Sequence, residues 1–163
     1  MIKLKYHHEV GLGEALAWNV ALYLDQLGWQ ADSILPIPLS EQRSKERGYN
    51  QVDLIAHPLA RLVGWTYAPA ALRRIRHTPS QVGLGAGERQ KNVLGAFQAE
   101  ARTVKGKTLL LIDDVTTTGA TLDSASHALL DAGANKVYAL TFARAMHKYG
   151  SDMIKSSPSH SLS

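Results

Sequence analysis

The stretch Thr108–Leu122 reads TLLLIDDVTTTGATL. Leu109 to Ile112 is a short continuous apolar run, the pattern of a strand buried on both faces. Asp113 and Asp114 follow at once, where such a strand reaches the edge of its sheet. Next come the small hydroxyl and glycine positions Thr116, Thr117, Thr118 and Gly119. From Ala120 the period becomes helical, with Leu122, Ser126, Leu129 and Leu130 near one face. The segment therefore reads as strand, tight loop, helix. Its loop offers backbone N–H groups and hydroxyls at a helix N-terminus, where an anion is stabilised. The adjacent carboxylates can accept hydrogen bonds from a diol. An anion beside a diol is what a ribose 5-phosphate presents. A plain strand-to-helix turn with a cap needs neither the carboxylate pair nor the Thr-Thr-Gly-Ala-Thr run.

Outward from this segment, strands and helices alternate. Residues 11–27 place Leu12, Leu16, Val20, Leu24 and Leu27 at helical spacing, with Gly28 as the stop. Lys3, Lys5, His7 and His8 precede that helix; neighbouring histidines rarely converge on one metal ion. Residues 33–37, SILPI, read as a buried strand ended by Pro36 and Pro38. A polar stretch carrying Arg43, Lys45 and Arg47 leads to Gly48. Asn50 opens the next helix, with Val52, Ile55, Leu59 and Leu62 on one face, Pro58 inside it and Gly64 as its stop. This basic loop between strand and helix is a second candidate anion site by the same dipole logic; the plainer reading is a charged surface loop. Residues 70–76 and 95–99 read as short strands. Between them lies the long polar segment His77–Asn92, with Gly83, Gly85 and Gly87. Connections of that length are uncommon unless they are lids or binding loops. After the helix ending at Ala132–Gly133, Val137–Ala143 is a further buried strand. The pattern dissolves from His147, so residues 1–147 read as one domain and 148–163 as a disordered tail.

The alternation implies an α/β fold, a mostly parallel sheet with helices on both faces. Ligands then bind at the carboxyl ends of the strands, where both candidate loops fall. The 163 residues suit one domain with a sizeable core. No apolar run approaches the roughly 20 residues that cross a bilayer, so no membrane insertion is expected. The absence of cysteine excludes disulfides, thiol nucleophiles and cysteine zinc sites, and fits a cytoplasmic protein. The net charge of +4 is concentrated in the middle of the chain. There Arg73, Arg74, Arg76, Arg89, Lys91, Arg102, Lys105 and Lys107 face only Glu88 and Glu100. Such a zone suits phosphates or nucleic acid, or is a solvated face.

IDDVTTTGAT resembles the signature of the type I phosphoribosyltransferases, which bind 5-phosphoribosyl 1-diphosphate (PRPP). Together with ILPIPL, RSKERGYNQ, RHTPSQ and ERQKNVLGAF, it resembles the ComF family from about Lys3 to Arg144. These are bacterial phosphoribosyltransferase-like proteins associated with competence for DNA uptake. The resemblance implies a type I phosphoribosyltransferase fold with a flexible hood loop. It implies that Asp113 and Asp114 hold the ribose hydroxyls and favour a positive ring in the transition state. Thr116, Thr117, Thr118, Gly119, Ala120 and Thr121 would surround the 5-phosphate, and Arg43, Lys45 and Arg47 the leaving diphosphate. The hood would bring Arg76, Arg89 and Asn92 over the site. Mg²⁺ is expected, held through PRPP and water, with no direct protein ligand beyond a water-mediated role for the Asp pair.

The implied reaction displaces pyrophosphate from PRPP by a nitrogen nucleophile, in nucleotide metabolism. The alternative is a non-catalytic PRPP- or single-stranded-DNA-binding accessory that works with competence-machinery proteins. The acceptor and the oligomeric state, monomer or dimer, stay open. Two departures from the resemblance matter. Many ComF members begin with a cysteine-rich zinc ribbon, and this sequence starts where the transferase-like part would. Purine-salvage enzymes carry an Asp near the base where this chain has Thr117, which cannot accept a proton in that role; hypoxanthine or guanine salvage is therefore disfavoured.

Overall fold

The computed structural model describes residues 2–39, 48–75, 95–116 and 119–144. Helix α1 (Ile2–Gln26) leads to strand β1 (Ser33–Pro36), and helix α2 (Asp53–Val63) to strand β2 (Thr66–Tyr67). A 3₁₀ turn (Pro69–Ala71) opens onto strand β3 (Leu72–Arg74). Strand β4 (Phe97–Ala99) and the one-turn helix α3 (Ala101–Val104) precede strand β5 (Thr108–Thr116). Helix α4 (Ala120–Asp131) and strand β6 (Lys136–Arg144) complete the series. The main sheet has the order β2-β1-β5-β6, all parallel. β3 and β4 form a separate antiparallel pair.

The period-2 alternation of buried strands divides the core in two. Ile34, Leu110 and Ile112 meet Ala17 and Leu24 of α1 and Ala56, Leu59 and Ala60 of α2. Leu35, Leu109 and Leu111 turn the other way, toward Ala125 and Leu129 of α4, Leu72 and Phe97 of the hairpin, and Val104. The sheet is thus covered on both faces, as expected for parallel strands. Each fully buried Leu or Ile is worth about 1.5–3 kcal/mol relative to exposure, so β1 and β5 form the energetic centre of the fold.

α1 and α2 pack closely because of a glycine and a proline. Pro58 lies inside α2 and has no N–H to offer the carbonyl of Leu54, one turn earlier. Gly13 of α1 sits against that carbonyl, and a Cβ at position 13 would collide with it. At the amino edge of the sheet Asp32 ties three strands together. Its N–H donates to Thr108 O (2.8 Å), its carboxylate accepts from Thr108 N–H (2.7 Å), and its carbonyl accepts from Thr66 N–H (3.0 Å).

Several sequence expectations are corrected here. The first helix starts at Ile2 rather than residue 11, so Lys3, Lys5, His7 and His8 lie on it. Glycines at 11 and 13 imitate a helix start, yet nothing before them breaks a helix. The strand expected to end at Ile112 runs to Thr116, because β6 continues beside it as far as the pair Thr116–Arg144. The helix expected from Asn50 begins at Asp53. The strands expected over 70–76 and 95–99 are shorter: the 3₁₀ turn takes Pro69–Ala71, and Gly95 is left-handed at φ 68°. β2 and α3 were too short to show a period. Residues 77–92 and 148–163 lie outside the described residues. Among the described residues no helix is long and apolar enough to cross a membrane.

Candidate functional site

In an open parallel sheet a ligand crevice forms where neighbouring strands are followed by connections running in opposite directions. Here that place lies between β1 and β5. The chain leaves β1 toward β2 on one side and leaves β5 toward β6 on the other. β1 ends at Pro36, opposite Ile112, while β5 continues through Asp113 and Asp114 with only β6 beside it among the described residues. Both carboxylates are half-buried at this carboxyl edge. Strand alternation assigns them to opposite faces, Asp113 to the face of Leu109 and Leu111 and Asp114 to that of Leu110 and Ile112.

Local hydrogen bonds fix the backbone here. Asp113 Oδ1 accepts from the N–H of Asp114 at 3.0 Å. Thr141 lies opposite Asp113 in the register of β6, and its hydroxyl donates to the carbonyls of Ala143 (3.1 Å) and, more weakly, Asp114 (3.4 Å). Beyond β5 the chain enters α4 through Gly119, at φ 81° and ψ −4°. A side chain there would be strained in conformation although it would meet open space. Ala120 and Thr121 form the first turn of α4, half-buried. Thr116 ends β5, whereas Thr117 and Thr118 lie outside the described residues.

On the β1 side Arg43, Lys45 and Arg47 also lie outside the described residues, but both ends of their connection are visible. Ile37 N–H donates to Ile112 O (2.8 Å), one step beyond the pair Pro36–Ile112. The Ile37 carbonyl accepts from Asn50 Nδ2 (2.9 Å), and Asn50 Oδ1 accepts from Val52 N–H (3.2 Å). The N–H groups of Asp53, Leu54 and Ile55 donate to the carbonyls of Asn50, Gln51 and Val52. Those three N–H groups are therefore engaged within the turn, while Arg43, Lys45 and Arg47 of the candidate anion loop lie outside the described residues.

Beside this turn, Tyr67 at the end of β2 donates to Asp53 Oδ1 at 2.7 Å, and the His57 ring meets Tyr67 edge-on at 5.3 Å. Burial raises the Asp53 carboxyl above the ordinary carboxylate range, partly offset by the Tyr67 hydrogen bond and the nearby His57. Burial, and then the Asp53 hydrogen bond and charge, push the Tyr67 hydroxyl well above the ordinary tyrosine range.

Arg76, Arg89 and Asn92 lie outside the described residues. The flanking strands bring the ends of their segment together, with Arg74 opposite Phe97 and Ile75 N–H donating to Ala96 O (2.8 Å). Arg74 lies over the Phe97 ring, 5.3 Å from its centre, and Phe97 is buried. Among the described residues no group of three or more His, Asp or Glu converges as a metal site. Sequence reasoning missed Asn50 as more than a helix opener, and it missed Thr141 and the Asp53–Tyr67 pair. Only Asn50 carried a signal, as an Asn two residues ahead of a helical pattern is a common turn former.

A carboxylate pair thus stands at the switch point, followed by a left-handed glycine opening a helix. Residues 59–158 match the phosphoribosyl transferase domain family. The chain belongs to that family. The match includes the Asp pair and the Gly119 loop, while β1 and Asn50 precede it. This phosphoribosyltransferase-domain chain is 34% identical over 116 residues to competence protein F of Haemophilus influenzae, covering 70% of the chain and 51% of that protein. It is 38% identical over 106 residues to DNA utilization protein YhgH of Escherichia coli K12, covering 65% and 46%. Competence protein ComFC of Bacillus subtilis is 34% identical over 108 residues, covering 61% and 39%. These relatives bear out the resemblance to ComF. The chain spans about half, or less, of the length of each. Among solved structures, glutamine PRPP amidotransferase from B. subtilis superposes with a TM-score of 0.52 at 21% identity, covering 82% of this chain and 25% of that one. That likeness bears out the α/β phosphoribosyltransferase fold.

Proposed function

We propose that this chain binds PRPP at the carboxyl edge between β1 and β5 and transfers its phosphoribosyl group to a nitrogen acceptor. The observation that supports this best is the pair Asp113–Asp114 on β5 leading into the left-handed Gly119 at the start of α4. The pair would accept hydrogen bonds from the ribose hydroxyls. Thr116 to Thr121 would receive the 5-phosphate, and Arg43, Lys45 and Arg47 the diphosphate. In the reaction the bond from C1 to the diphosphate oxygen breaks, the diphosphate leaves with the electron pair, and the acceptor nitrogen bonds to C1. Positive charge developing on the ribose is stabilised by the adjacent carboxylates, so catalysis is chiefly positioning and electrostatics. The half-buried carboxylate pair suits Mg²⁺ as an oxygen donor set through water, and the ion would neutralise the diphosphate.

The test combines calorimetry of PRPP, with Mg²⁺ and with EDTA, and a mass-spectrometric screen for pyrophosphate release in the presence of pooled nucleobases and amines. Mg²⁺-dependent binding with release in one pool supports the reading. No heat at millimolar PRPP sinks it. The names of the relatives, competence and DNA utilization proteins, favour a second reading, a PRPP- or single-stranded-DNA-binding accessory without turnover. Binding without release in any pool would select it. Phe97, the aromatic of the basic middle, is buried and offers no stacking surface for a base, whereas Trp18 and Tyr23 on α1 are exposed.

A further inference from the structure

Along β1 and β5 the parallel ladder follows a fixed rule: a residue that donates to one carbonyl of its neighbour accepts from the N–H two residues further on. Ile37 donates to the carbonyl of Ile112, so the next rung would run from the N–H of Asp114 to the carbonyl of Ile37. The two groups of that rung have other partners. Asp114 N–H donates to Asp113 Oδ1, and Ile37 O accepts from Asn50 Nδ2. Ile37 is buried, so its carbonyl needs a partner if the ladder does not supply one. We propose that Asn50 and Asp113 together split this rung, so that β1 and β5 part at the site, and that Asn50 is thereby a positioning residue for ligand binding. The proposal rests on the reading of this crevice as the PRPP site.

The chemistry of position 50 is restrictive. The residue must donate to Ile37 O and accept from Val52 N–H through one short side chain, and a carboxamide does both. An aspartate keeps the size and the acceptor but sets a carboxylate against a carbonyl. Closing the rung would draw the two strands to the ordinary spacing of about 4.8 Å at this level. It would narrow the crevice beside Asp114 and move the start of the connection bearing Arg43, Lys45 and Arg47. Asp113 has a double part here, since the carboxylate read as a ribose ligand also holds the Asp114 amide off the ladder.

The experiment uses the ¹⁵N,¹³C-labelled chain as wild type, Asn50→Ala and Asn50→Asp. It records the Asp114 amide by NMR and PRPP affinity by calorimetry. In both variants the Asp114 amide should move onto Ile37: slower exchange, a downfield proton shift, and a through-hydrogen-bond coupling to the Ile37 carbonyl carbon. PRPP should bind about tenfold more weakly or worse, as expected when charged groups on the ligand are misaligned with their partners. An Asp114 amide that stays as in wild type in both variants overturns the split rung. An amide that moves while PRPP affinity is kept overturns the positioning role. If wild type itself binds no PRPP, the functional reading and the positioning role fall together, while the amide still decides the split rung. Should Asn50→Ala not fold, Asn50→Asp gives both readings alone.

Discussion

Asp113 and Asp114 are adjacent in sequence but differ in circumstance. Asp113 is tied to the backbone through Oδ1, and an amide there can still accept that bond. Changing both residues to Asn therefore removes charge with little effect on the fold. PRPP affinity should fall by roughly 1.5–3 kcal/mol for each charge-assisted hydrogen bond to the ribose that the change removes. Calorimetry of the double variant, with a melting curve as control, measures this, and unchanged PRPP affinity would show that the pair does not hold the ribose. At this scale the sequence was readable where residue type constrains chemistry, as in adjacent carboxylates before a Thr-Gly run. Asn50 was not readable in the same way. Its function depends on a carbonyl at Ile37 that only the folded register brings into reach.

Two junctions between elements carry predictions of their own. Gly13 lets α1 lie against the Leu54 carbonyl that Pro58 leaves without a helical donor. Gly13→Ala should destabilise the chain by about 1–3 kcal/mol, the usual cost of overpacking, despite alanine's better helix propensity. Urea unfolding gives the number, and a gain in stability would show that the two helices are free to move apart. The second junction joins α2 to β2. Tyr67 holds its proton more tightly in the folded chain than in the unfolded one. Its contribution is complete below the ordinary tyrosine pKa of about 10 and is lost as pH rises above it. Asp53 is raised too, so its contribution declines as pH rises from about 4. Tyr67→Phe should flatten the alkaline fall in stability. It should also cost about 1 kcal/mol near neutral pH, where the Asp53 carboxylate loses its donor. Thermal melts at pH 7 to 11 test both effects, and an equal alkaline fall in variant and wild type would rule out Tyr67 as its source. Elements of this kind were legible where an apolar run or a helical stripe was long enough to show a period. β5 and α4 met that condition. β2, two residues long, did not; the strands of the Arg74–Phe97 hairpin were expected over 70–76 and 95–99, but their pairing was not, because it is tertiary.

The whole molecule is knit by pairings between distant parts of the chain. The parallel order and the covering of both faces followed from the alternation of strands and helices. The strand order β2-β1-β5-β6 did not, since apolar runs carry no label for their neighbours. Asp32, which ties β1 to β5, bonds a residue 76 positions away. This has a consequence for a chain emerging from a ribosome. β1 sits inside the sheet, and its main neighbour is made only when synthesis reaches residues 108–116. At about 5–20 residues per second, β1 and α2 wait several seconds with their apolar faces uncovered. Non-local pairing also slows folding once the chain is complete, into the range of about milliseconds to seconds. Stalled nascent chains should therefore remain open to protease until their exposed length passes Thr116, and resistance should then rise in one step. A resistant fragment from chains ending near Lys105 would mean that the first half folds alone. The crevice would then be a late addition to a finished scaffold, whereas a single step would mean that its two walls meet as the centre of the sheet first forms.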